Sequence, residues 1–260
     1  MAKRTIVGEP LTPSLLKELG AIESLPSTPA HFHPGREWVN SYRIWTCHGY
    51  RENGNQNVGY LRIRRVRDSD KTFKLNVHEE ILQTDARVGI TDGTITCRND
   101  APASLIRWNV SSRLLGGDGE EIPEVLAINN GTPDEGMDGI TGDWCLFEAV
   151  QRLSPDRRTS LRFDLLEGMS LVKLKHTLSY RGVHPISINN EETSLHRFVQ
   201  FGSGILPTDY WLDPDHRLLI VTSMNKAYIL DDRAETLFER DVERARASYR
   251  NRAAQRKSKQ

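Results

Sequence analysis

The chain has 260 residues, with 35 basic and 35 acidic side chains and an apolar share of 37%. That length supports one large core or two small ones, and the absence of any run of ~18 apolar residues excludes a helical membrane protein. Twelve Pro and 19 Gly exclude collagen-like and low-complexity classes.

The zero net charge is uneven. Over residues 241–260 seven Lys/Arg face only Asp241 and Glu243, so this tail carries +5 and the rest of the chain −5. Cys47, Cys97 and Cys145 are odd in number and widely spaced, which favours free thiols in a reducing compartment. Lys3 and Arg4 are followed by no apolar run, so the expectation is a cytoplasmic protein; a periplasmic or secreted one would have lost a leader.

Residues 11–34 predict one short helix, with Thr12 as N-cap, Pro13 at the first helical position and Gly20 closing it. From Trp38 the period becomes two, and strands are predicted over 58–66, 73–82 and 104–114. Thr91-Asp92-Gly93-Thr94 predicts a type I′ hairpin turn, since Asp-Gly suits positive φ. Ile90 then opposes Ile95, and Val88 opposes Cys97.

Residues 115–143, rich in Gly, Asp, Glu, Asn and Pro, predict a long excursion between two halves of a sheet. Residues 144–153 fit a helix capped by Asp143 or a further strand. Strands are predicted again at 161–166, 171–180, 195–201, 208–212, 217–223 and 226–230, with a type I turn at Asp213-Pro214-Asp215-His216. Ala234, Leu237, Phe238, Val242, Ala245 and Tyr249 mark one stripe of a C-terminal helix. The expected fold is mainly β: residues 38–230 form a single domain with a curved antiparallel sheet or partly closed barrel of nine to eleven strands. Residues 1–37 are an N-terminal lead-in and 231–260 a C-terminal helix and basic tail; the helix is expected to pack across the sheet through Leu237, Phe238 and Val242, filling the cavity if it lies on the concave face and leaving it free for a ligand if it packs elsewhere.

Tyr210-Trp211-Leu212-Asp213 followed by Arg217-Leu218-Leu219-Ile220 resembles the late hairpin of lipoprotein-carrier-like proteins, in which a strongly curved sheet wraps a helix or an apolar ligand. That resemblance implies an envelope location and a lipid or apolar partner. His31-x-His33-Pro34-x-x-Glu37 is similar to the first metal motif of cupins, and would make His31, His33 and Glu37 ligands of a divalent metal.

His176 is the first catalytic candidate, on a face shared with Val172, Leu174, Leu178 and Tyr180. Tyr180 is its expected neighbour, and burial beside a carboxylate would tune the imidazole for proton transfer. A buried neutral histidine with one hydrogen bond is the usual explanation of such a residue. His78 and Glu80 share the polar face of one strand and form the next candidate. Tyr210, Trp211 and Trp108 offer aromatic surface for a ligand. Three functions follow: a non-catalytic protein holding an apolar or carbohydrate ligand on the concave sheet; a carbohydrate-directed lyase or hydrolase working through histidine, tyrosine or carboxylate, with or without a metal; and an assembly component whose basic residues 244–259 dock to an acidic partner.

Overall fold

A computed structural model describes residues 11–47, 56–123, 127–134, 139–188 and 191–257. Of the acidic excursion, Val125, Glu135 and Asp138 lie outside the described residues, as does the tail beyond 257. The architecture is mainly β, with one mostly antiparallel sheet of thirteen strands among the described residues.

The first described element is α1 (Pro13–Glu18), capped as its sequence predicts: the Thr12 hydroxyl accepts from Leu15 N–H at 3.2 Å, and Gly20 takes φ +74° beyond the helix end. A first meander follows, made of β1 (Trp38–Thr46), β2 (Gln56–Arg67), β3 (Thr72–Leu82), β4 (Val88–Arg98), β5 (Leu105–Leu115) and β6 (Ala127–Gly131). Then come β7 (Ile140–Gly142), α2 (Asp143–Arg152), β8 (Ser160–Glu167), β9 (Leu171–Ile188), β10 (Glu191–Phe201), β11 (Thr208–Leu212), β12 (Leu218–Thr222), β13 (Lys226–Leu230) and α3 (Ala234–Lys257). The spatial order runs β6-β5-β4-β3-β2-β1-β13-β12-β11-β10-β9-β8-β7, so the first and last strands pair in the middle of the sheet and its two edges come from the middle of the chain. The edges approach without forming a ladder: the Asn129 amide of β6 donates to Met169 C=O beyond β8, and Thr141 of β7 donates to Ala103 C=O at 3.4 Å.

The sheet curls because it is wrapped around α2. Residues 145–151 of this helix are all buried. Phe147 meets Tyr42 of β1, Tyr228 of β13 and Tyr210 of β11 edge-on, with ring centroids 5.4, 5.3 and 6.3 Å apart. Cys145 touches Cys97 of β4, Sγ to Sγ 3.5 Å. Edge-to-face rings keep their favourable quadrupole geometry while filling the interior. Asp143 is the first helical residue and Gly142 the N-cap, one position earlier than the sequence reading.

The concave face is therefore filled by α2 and not by the C-terminal helix. Ala234, Phe238 and Val242 of α3 pack instead on the opposite face against Tyr60, Val88 and Ile90. Alternation along β4 is the physical reason: Val88 and Ile90 point outward to α3, whereas Ile95 and Cys97 point inward. This parity requires an unbroken strand, and β4 is one. Asp92 and Gly93 sit in its middle, paired with His78 and Val77 on β3 and with Ser111 and Val110 on β5. Gly93 is not at positive φ, so the Asp-Gly hairpin is corrected. Ladder partners on both sides outweigh the local turn preference, and the actual reversals are a short 3-10 turn at Thr84–Ala86 and a loop closed by Arg98 N–H to Ser104 C=O at 2.8 Å.

One polar knot crosses the interior. Glu148 of α2 accepts from Arg65 Nε of β2 at 2.7 Å and from Arg152 Nε at 2.7 Å. Arg65 and Glu148 side chains are 3% and 0% exposed. Arg65 further donates to Gly35 and Arg36 C=O at 2.8 and 3.0 Å and lies over the Phe73 ring at 4.3 Å. Arg152 reaches Asp100 C=O at 2.6 Å.

Two outcomes follow from this packing. Hydrogen exchange of the 91–95 amides is expected to be slow, as in a central strand; fast exchange would restore the turn. Glu148→Ala strands two guanidinium groups beside a cavity and is expected to cost about 3–5 kcal/mol in urea denaturation.

Candidate functional site

The sheet opens at the N-terminal end of α2. There a cavity of about 570 Å³ lies between the helix, the loop after β10 and the β12–β13 turn. Phe147, Tyr210 and Tyr228 supply its aromatic wall, Glu79 and Asp143 its carboxyls, and Lys226 its cation. Volume and lining fall in the range of small-ligand sites, which are largely apolar with a few convergent polar groups.

Each polar group arrives by a clear local cause. Glu79 belongs to the inward-facing set Phe73, Leu75, Val77 of β3, so alternation delivers it to the interior near the end of that strand. Its carboxylate accepts from the Tyr228 hydroxyl at 3.4 Å. Burial raises the Glu79 pKa above the usual carboxylate range, against the pull of Lys226 and Tyr228. Asp143 accepts from Gly168 N–H at 2.6 Å. Burial pushes its pKa up to about 6, outweighing that hydrogen bond. Lys226 Nζ stands 4.6 Å from the centre of the Tyr228 ring, a cation–π contact within the same opening. Tyr210 donates to Gln200 Oε1 at 2.8 Å, and Gln200 Nε2 stands 3.2 Å from His176 Nδ1, so a hydrogen-bonded chain leads from the cavity wall inward.

Among the residues singled out from sequence, Tyr210 lies in this wall and the others do not. Trp211, its neighbour on an alternating strand, faces the other way: its indole donates to Thr222 Oγ1 at 3.2 Å, and Arg197 stacks on it at 5.1 Å. Trp108 is half-buried on β5, its indole donating to Asn129 Oδ1 at 3.1 Å, where it supports the edge contact between β6 and Met169. The three indole and phenol groups do not form one platform.

His176 is fully buried, and burial holds its pKa below the ordinary imidazole value. A Cβ on Gly202 would stand 2.3 Å from the His176 ring, so glycine is required there. The apolar face expected around His176 is broken by Lys175, which takes φ +61° and shifts the alternation; Val172 and Leu174 are exposed as a result. Tyr180 pairs with His196, hydroxyl to Nδ1 3.0 Å, and not with His176.

His78 has the strongest electrostatic setting. Its Nδ1 is 2.7 Å from Asp92 and its Nε2 3.0 Å from Glu80, which also accepts from Tyr60 OH at 3.3 Å. The hydrogen bond to Glu80, aided by Asp92 and opposed by partial burial, raises the His78 pKa to about 9. The strand alternation made the Glu80 contact readable; Asp92 escaped because it had been assigned to a turn.

The metal reading is not met. His33 Nδ1 accepts from Gly35 N–H at 3.0 Å, Glu37 accepts from Arg67 N–H at 3.3 Å, and among the described residues no group of three or more His, Cys, Asp or Glu is gathered for an ion. The Pro34-Gly35 turn folds His33 back on its own backbone instead of holding it extended beside His31.

The His78 clamp carries a pH consequence. A histidine whose folded pKa exceeds its unfolded value near 6.5 binds more protons in the folded state, so stability is full below about 6.5 and declines as pH rises towards 9. Imidazole NMR of the native protein is expected to titrate near 9, and Asp92→Asn and Glu80→Gln are each expected to lower that midpoint. A midpoint near 6.5 in the parent chain would refute the clamp.

No family model matches the chain, and no curated protein matches it. Among solved structures it is similar to a β-barrel-like protein of a domain of unknown function, DUF1849, from Brucella abortus, with a TM-score of 0.45 and 10% identity over 75% of this chain and 96% of that one.

Proposed function

We propose that the chain is a binding protein for a small hydroxylated ligand, a single sugar-sized ring, held in the opening at the N-terminal end of α2. The observation that carries this reading is the convergence of Glu79, Asp143 and Lys226 on an aromatic wall within one cavity of about 570 Å³. Carboxylates accept hydrogen bonds from hydroxyl groups, Gln200 and Asn225 add amide donors, and Tyr210 and Tyr228 present apolar faces to a ring. Filling of the concave face by α2 favours a compact ligand over an extended lipid chain.

A second reading rests on Asp143. A carboxyl that stays protonated up to about pH 6 beside a second carboxyl suits general acid catalysis on a glycoside.

A panel of monosaccharides and aryl glycosides titrated by calorimetry tests both. Binding is expected for at least one sugar, and Glu79→Gln is expected to weaken it about tenfold through loss of a charge-assisted hydrogen bond. Failure of the whole panel, or an unchanged affinity in Glu79→Gln, would overturn the site. Release of the aryl group, lost in Asp143→Asn, would move the conclusion to the enzyme.

A further inference from the structure

The face of the sheet opposite α2 carries a polar grid set by register. Arg62, His78, Asp92 and Ser111 lie side by side across β2–β5, and Arg64, Asn76, Thr94 and Asn109 form the adjacent row. Rows two residues apart are separated by roughly 6.5–7 Å and neighbouring strands by about 4.8 Å. Members of both rows line a second cavity of about 610 Å³, bounded by Tyr60 and by Glu235 at the start of α3.

The charges in this grid are not equally engaged. Asp92 is shared by His78 and Arg113, Glu80 by His78 and Tyr60, and neighbouring Lys74 pairs with Asp68. Of the four arginines on β2, Arg65 is committed to Glu148 and Arg67 contacts Asp70. Arg62 and Arg64 are exposed, point to the same side, and make neither an ion pair nor a side-chain hydrogen bond among the described residues. The acids of this face thus have partners inside the grid, apart from Glu235 at its rim, while two guanidinium forks stand unused beside the amide of Asn76.

We propose that Arg62, Arg64 and Asn76 form a binding site for the phosphate of a small phosphorylated ligand, whose hydroxylated body lies along Thr94 and Asn109. Planar guanidinium forks match the oxygens of a phosphate and hold them by paired charge-assisted hydrogen bonds. The row Asn76-Thr94-Asn109 supplies both donors and acceptors, as a polyol needs. A nucleic-acid strand fits this surface less well: no exposed aromatic lines the cavity for base stacking, and Asp92 and Glu235 interrupt the positive charge. The site lies on the opposite side of the sheet from the Glu79–Asp143 opening and is independent of it.

The test uses the full chain, with circular dichroism confirming that Arg62→Gln/Arg64→Gln folds. Glycerol 3-phosphate, glycerol and inorganic phosphate are titrated while the arginine Nε–H signals are followed by NMR, and phosphatidylglycerol vesicles are tested by cosedimentation. Glycerol 3-phosphate is expected to shift the Arg62 and Arg64 signals, to bind more tightly than inorganic phosphate, and to weaken at least about tenfold in the double variant. Vesicle binding lost in the same variant would identify a lipid headgroup as the source of the phosphate. Absence of binding to every phosphate probe, or equal binding by the double variant, would overturn the proposal. Glu79→Gln is expected to bind glycerol 3-phosphate as the parent chain does, which separates failure here from failure of the opening at α2.

Discussion

A single carboxylate on the inner helix organises the interior. Glu148 is buried among Leu146, Phe147, Ala149 and Val150, where an unpaired charge would be too costly to keep. Two guanidinium groups must come to it, and each brings a different part of the chain. Arg65 brings β2 together with the Gly35–Arg36 segment, and Arg152 brings the loop between β4 and β5 through Asp100. Aromatic packing around Phe147 tolerates small rotations of α2; this hydrogen-bonded knot does not. It fixes the helix in register against the sheet, and with it the position of Asp143 at the opening and of Cys145 against Cys97.

Alternation was the part of the fold most open to reading. The inward sets of β2 and β3, the short capped helix at Pro13–Glu18 and the strand limits at Thr208–Leu212 and Lys226–Leu230 all follow from period, capping and turn residues. The antiparallel sheet itself was foreseen, but the inferences that failed were those naming which residues meet across it. Asp92-Gly93 has the local chemistry of a turn, yet β3 and β5 flank it on both sides. The stripe Ala234, Phe238, Val242 was visible, but which face of the sheet would receive it depended on Val88 and Ile90 pointing away from Ile95. α2 is only ten residues long, and its apolar residues fit a helix or a strand alike when read without their partners.

The candidate site was legible by halves for the same reason. Tyr210 stood out as an aromatic on a strand, and Glu79 lay beside two residues already noticed. Asp143 had been assigned a capping role, and Lys226 and Tyr228 belonged to a strand of only five residues. Their convergence depends on the order β13-β12-β11 and on the helix that ends beneath them, neither of which spacing can supply. Lys175 shows how little is needed to mislead: one residue at positive φ reversed the facing of Val172 and Leu174 relative to His176.

The order of the strands has a consequence for how the sheet comes into being. β1 to β6 are joined as a local meander, and so are β8 to β13, whereas the pairing of β1 with β13 joins segments almost the full described chain apart. Closing so long a loop is slow relative to forming neighbouring hairpins. On a ribosome, β1 must therefore stand as a free edge while the rest of the molecule is made, exposed to any strand that would pair with it. The seam at the centre of the finished sheet is thus the ladder that waits longest for its second strand, since β13 is the last of the described strands to be made.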